Sequence, residues 1–171
     1  KALHDPDETV LDEELTRAMT PFSQKPGDVT ALRNRLQDVM WEDVGVMRDA
    51  DGLQRGLKRI AEIDDELSSV GVAADNLAFN LSWHDWLNLR SLIDMSMVIA
   101  KAALSRENSR GAHFREDFPD AGAMQESYFT LASGYGDAIS VTRAPVQFTI
   151  VKPGETLLGE DEAETLIKAA Q

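Results

Sequence analysis

The chain has 171 residues, 43% of them hydrophobic, with 30 acidic against 17 basic residues and a formal net charge of -13. A phosphate backbone demands a clustered cationic surface, so this balance argues against a nucleic-acid partner. The apolar content is that of a folded domain, and the absence of cysteine excludes disulfides, iron–sulfur ligation and a thiol nucleophile and agrees with a cytoplasmic setting.

Residues 1–29 are acidic and punctuated by Pro6, Pro21 and Pro26. Within them Val10, Leu11, Leu15 and Met19 share a helical face, and "TPFSQKPGD" carries the proline and glycine signals of a linker. The opening "KALHDPDETV" has neither the charge nor the apolar run of a signal peptide. We expect this part to connect to an upstream domain of a longer chain.

Three helices are expected over 30–107. In the first, capped by Asp28 or Thr30, Leu32, Leu36, Val39 and Met40 recur at helical spacing, with Val44 and Met47 following. "RDADG" interrupts it. In the second, Leu53, Leu57, Ile60, Ile63 and Leu67 form one face, opposite Arg55, Lys58, Glu62 and Asp65. The third runs from about Ser82 to Arg106 and is apolar around most of its circumference, which predicts burial on several sides. Its charged and polar interruptions, among them His84, Asp94 and Lys101, leave no stretch fit to span a bilayer. Short connections make antiparallel neighbours. The fold class is therefore mainly α: an antiparallel three-helix bundle with a small C-terminal β-hairpin appendage.

The hairpin belongs to a segment 108–153, where "SYFTLAS", a "GYGD" turn and "AISVTRAPVQFTIV" alternate in the manner of strands, with Pro145 marking an edge or a break. A tail, 154–171, is expected to end in a short helix from about Asp161. "GYG" is not followed by the third glycine and helix of a dinucleotide fingerprint, and no phosphate loop is present. The histidines His4, His84 and His113 lie in separate segments without the spacing of a metal site. His84 and Asn88 share a helical face suited to polar surface. We expect no metal ligands, catalytic residues or cofactor-binding residues in this chain.

The stretch "SRENSRGAHFREDFPD", Ser105 to Asp120, concentrates charge around one glycine and one histidine. Ser109, His113 and Asp117 would align as a nucleophile–base–acid set only on a continuous helix, which Gly111 and Pro119 interrupt. Arg106 and Arg110 suit the negative end of the third helix, and Gly111 can adopt the left-handed conformation that terminates it. His113, Arg115 and Asp117 alternate, and so share a face if extended. Arginines bridge carboxylates through paired hydrogen bonds. Either a solvated helix end or a docking seam fits this pattern, and for the seam the residues are Arg106, Arg110, His113, Arg115 and Asp117.

"NSRGAHFREDFPD" resembles the S-R-G-A-H-x-R-x-D segment of the flavoprotein subunits of succinate dehydrogenase and fumarate reductase, with L-aspartate oxidase a relative. The M-x-x-x-V-G-V-x-R pattern ending at Arg48 and the final "APVQFTIVKPGE" extend the resemblance from about Val29 to Glu155. The family's usual Glu before Ser-Arg-Gly is Asn108 here, with Glu107 one residue earlier. The resemblance implies a C-terminal helical domain that packs on an upstream FAD-binding domain and lies near a partner subunit of iron–sulfur type. FAD, the substrate-binding groups and any membrane association through partner subunits would then belong to the parent assembly. A C-terminal domain of L-aspartate oxidase and a free-standing helical interaction module are the alternatives. An exposed docking face would also permit self-association.

Overall fold

The computed structural model describes residues 7–123, 125–134, 138–153 and 155. Helix α1 spans Glu8–Met19, α2 Val29–Glu42, α3 Ala50–Leu67 and α4 Leu81–Ser105. Asp7, Asp28, Asp49 and Asn80 cap them, each side chain accepting a hydrogen bond from a first-turn N–H. The core lies where α2, α3 and α4 meet, and Leu32, Leu36, Leu53, Ile60, Ile63, Leu67, Trp86, Leu89 and Ile93 are all buried there. The expected three-helix bundle and hairpin are therefore present, with α1 as a fourth helix outside the core.

Two-residue parallel bridges fix the ends of the bundle. Strand β1 (Lys25–Pro26), which precedes α2, pairs with β3 (Val70–Gly71), which follows α3. Strand β2 (Met47–Arg48), between α2 and α3, pairs with β4 (Phe114–Arg115), beyond α4. Each bridge joins the start of one helix to the end of another, as antiparallel packing requires. Gly56 permits the close approach of the α2–α3 connection, because a Cβ there would lie 2.9 Å from Asp43 Cβ. Asp43 is buried in that connection and is held by Arg55 and Arg59 at 2.6 and 2.8 Å.

Three expectations need correction. Helix α2 stops at Glu42, so Val44 still enters the core while Met47 lies exposed in β2. "TPFSQKPGD" is not a free linker: it forms a 3-10 turn, Thr20–Phe22, with Pro21 buried and its carbonyl accepting from Val72 N. The Trp83 indole donates to Ala18 O at 2.8 Å and packs on Phe22, fastening the end of α1 to α4. Finally, α4 is not buried all round. Leu92, Met95 and Ile99 form an exposed stripe beside its buried face.

The hairpin pairs β5 (Tyr128–Ser133) with β6 (Ser140–Pro145) in antiparallel register, and Pro145 ends the second strand opposite Tyr128. Lys101 Nζ donates to Ile139 O at 3.2 Å and Arg143 donates to Ser105 O, attaching the hairpin to the last turns of α4. Most of the "GYGD" turn, the C-terminal helix expected from about Asp161, and His4 lie outside the described residues. His84 and Asn88 are exposed, as a polar surface pair should be.

Candidate functional site

The 105–120 stretch solves a problem set by α4. The last carbonyls of a helix have no partner within it, and here they point at the end of a packed bundle. The usual remedy is a left-handed glycine directly after the last turn. Gly111 does have a positive φ of 58°, but it lies five residues beyond Arg106, the C-cap, which is extended. Gly111 instead turns a tight loop in which Arg110 and His113 exchange backbone hydrogen bonds at 2.9 and 3.1 Å. Its expected role in ending the helix is thus corrected.

Arg115 supplies the cap from a distance. Its Nη1 donates to the carbonyls of Ala103, Leu104 and Arg106, each at 3.1 Å. Its Nε and Nη2 reach both oxygens of Asp117 at 2.7 and 2.6 Å. Phe118 lies under the guanidinium, 5.1 Å from ring centroid to Cζ. The residue is only 1% exposed, and each of its three nitrogens has an acceptor. Asp117 Oδ2 also accepts from Ala50 N, the first N–H of α3, at 3.0 Å. One ion pair therefore caps the negative end of α4 and the positive end of α3 together.

The Arg115 guanidinium and then the Ala50 N–H hold the Asp117 carboxyl at about 2, below its usual range. A depressed carboxylate pKa adds stability that is complete above the unfolded value and disappears as pH falls through the folded one. Unfolding midpoints should accordingly decline between about pH 4 and pH 2. Asp117→Asn should flatten that decline, and urea titrations at stepped pH will show whether it does.

His113 is buried. Arg48 Nη1 lies 3.0 Å from its Nδ1, so the proton sits on Nε2, which faces Arg106 O at 3.4 Å. Burial, with Arg106, Arg48 and Arg115 nearby, pushes the imidazole pKa down, which keeps the ring neutral. Arg110 does not serve the helix end. It reaches the carbonyls of Ala121 and Ala123 and Ser127 Oγ, pinning the following loop. Ser109 Oγ donates to Phe118 O at 2.8 Å and accepts from Arg115 N at 2.9 Å. With no helix over 109–117, the Ser109, His113 and Asp117 alignment does not form, and each side chain has a structural partner instead.

Arg106 is half-buried, and among the described residues its side chain donates to Asn108 Oδ1 at 3.3 Å. It lines a cleft of about 650 Å³ with Arg48, Arg110, His113, Ile99 and Phe129. Arg48 and Ala112 also border a second, more apolar cleft of about 810 Å³ beside Trp41, Val46 and Met47. The sequence placed Arg48 in the V-G-V-x-R pattern but gave it no role, because only the β2–β4 bridge brings it beside residues 65 positions away.

The described residues hold no dinucleotide-binding strand–turn–helix unit. Their strands are two-residue bridges and a hairpin, and none leads through a glycine-rich turn into a helix that could cradle a pyrophosphate. Among the same residues no cluster of His, Asp and Glu could hold a metal ion, and no helix is long and apolar enough to cross a membrane.

Residues 33–157 match the family model described as fumarate reductase flavoprotein C-term. An uncharacterized FAD-dependent oxidoreductase of Methanocaldococcus jannaschii is 32% identical over 68% of this chain and 21% of its own length. L-aspartate oxidase 1 of Ralstonia nicotianae is 38% identical over 50% of this chain and 15% of its own. Mycobacterium smegmatis Sdh1, solved in complex with UQ1, superposes with a TM-score of 0.74 at 29% identity, covering 87% of this chain and 26% of that one. The chain thus spans about a quarter or less of the length of these relatives. It belongs to the family of C-terminal domains of succinate dehydrogenase and fumarate reductase flavoprotein subunits.

Proposed function

We propose that the chain is the non-catalytic C-terminal domain of an FAD-dependent oxidoreductase that interconverts a dicarboxylate pair such as succinate and fumarate. Its work is to brace the flavin-bearing part of the parent chain, with an iron–sulfur subunit as a further partner. One observation carries this reading. Arg115 is buried and, with Asp117, is committed by hydrogen bonds to the joint between α4 and α3, while Trp41, Val46, Met47, Arg48 and Arg106 line the clefts at this end of the bundle. An active centre would present its reactive groups, whereas this end of the bundle locks them and presents a rim.

The parent reading frame, expressed whole, should give a yellow protein that reduces fumarate with an artificial electron donor. The 171-residue chain alone should be colourless and inactive in the same assay. A yellow, active preparation of the short chain would refute the bracing role.

The relation to L-aspartate oxidase 1 favours a second reading, in which the parent oxidises L-aspartate. Comparing L-aspartate with succinate as reductant for the intact parent separates the two.

A further inference from the structure

Arg48 and Arg106 are an anomaly in an acidic chain. Acids outnumber bases 30 to 17, and the arginines of the helix faces find carboxylates: Arg33 with Asp85, Arg35 with Glu66, Arg59 with Glu42 and Asp43, Arg90 with Asp64. Among the described residues Arg48, Arg106, Arg110 and Arg143 pair with no carboxylate, but Arg110 and Arg143 are taken up by carbonyls and a serine hydroxyl. Arg48 uses Nε on Val44 O and Nη1 on His113, leaving Nη2 open. Arg106 keeps all but one weak contact open. The two cations converge on one cleft, near enough that burial and then Arg106 lower the pKa of Arg48. Like charges held together at a desolvated site raise the free energy of the isolated domain, and an anion between them reverses the sign of the interaction.

The surroundings narrow the choice of anion. The arginine forks match a planar carboxylate through paired hydrogen bonds. Arg48 and Ala112 also border the apolar cleft, so the two clefts are neighbours. Trp41 is 79% exposed, Val46 74% and Met47 64%, so that face is unpartnered within the described residues. A free small anion would use the cations and leave the apolar face bare. A polypeptide can fill both. The remaining three-quarters of the chain length seen in the relatives is the polypeptide available.

We propose that an Asp or Glu side chain from the flavin-bearing part of the parent chain seats between Arg48 and Arg106, with an apolar neighbour of that residue resting on Trp41, Val46 and Met47. This rests on the bracing role above and names its chemistry. It also shifts the docking surface outward from Arg115 and Asp117, which are committed within the domain, to Arg48 and Arg106.

The test uses the intact parent. R106K keeps the charge and offers a primary amine, which a zero-length carbodiimide joins to a carboxylate in contact with it. R48K is the second variant, should the first fail to fold by helical circular dichroism. Peptide mapping is expected to find an amide between position 106 or 48 and an Asp or Glu in the part preceding this chain. Charge reversal, R106E, should speed tryptic cleavage between the two parts about tenfold or more. Cross-links only to acids of this chain or to a second copy, or none at all in a yellow parent whose cleavage R106E leaves unchanged, would overturn the proposal. A parent that binds no flavin would instead remove the reading on which it rests.

Discussion

Arg115→Ala should destabilise the domain by about 1–3 kcal/mol, the range found when buried hydrogen-bonding groups lose their partner, since Arg115 is buried while Asp117 stays exposed to water. The substitution strands the Ala103, Leu104 and Arg106 carbonyls at the end of α4 and leaves Asp117 without its counter-charge. Three backbone acceptors cannot regain water without opening the 106–118 loop. Arg115→Lys should recover less than half of it. A single ammonium cannot serve carbonyls on one side and both carboxylate oxygens on the other, as the guanidinium fork does. Urea unfolding followed by circular dichroism reads both variants. A cost for Arg115→Ala under about 1 kcal/mol, the value typical of a solvated pair, would mean that the joint is decorative.

Trp86→Ala is the second large effect expected, about 3–5 kcal/mol for removal of a buried aromatic. Trp86 is 4% exposed in the core, and its indole N–H donates to Val70 O at 2.8 Å. It therefore both fills the space between the helices and ties α4 to the β1–β3 bridge. Trp86→Phe divides these roles. It retains most of the ring and removes the donor, and should lose about 1–3 kcal/mol, the cost of an unpaired carbonyl plus a small cavity. Equal losses for the two variants would show that the hydrogen bond, and not the volume, dominates.

Helical period made the core legible. Leu32, Leu36 and Val39 on α2, and Leu53, Ile60, Ile63 and Leu67 on α3, are buried at the spacing read from the sequence. The composition of α4 was legible but not its environment. Leu92, Met95 and Ile99 look like core residues in the sequence, and only the placement of α2, α3 and the hairpin shows that they face outward. The site was half legible. The charge density of 105–120 and the alternation of His113, Arg115 and Asp117 were visible, and His113 and Arg115 are indeed both buried around the exposed Phe114. That Arg115 would cap a helix ending ten residues earlier was not visible. Neither was Arg48 as its neighbour, because no local rule predicts a contact closed by a distant bridge.

That bridge has a consequence for the order of assembly. Residues 47–48 meet 114–115 across the whole of α3 and α4, and closing so long a loop is entropically unfavourable until the intervening helices have packed and made it short in space. The α2–α3 hairpin can form from near neighbours, but the cleft between Arg48 and Arg106 comes into being only when α4 has docked and the chain has returned. A partner that recognises this cleft is therefore recognising a finished fold. On the docking proposed above, the contact would thus discriminate a completed domain from one still in progress in a newly made parent chain.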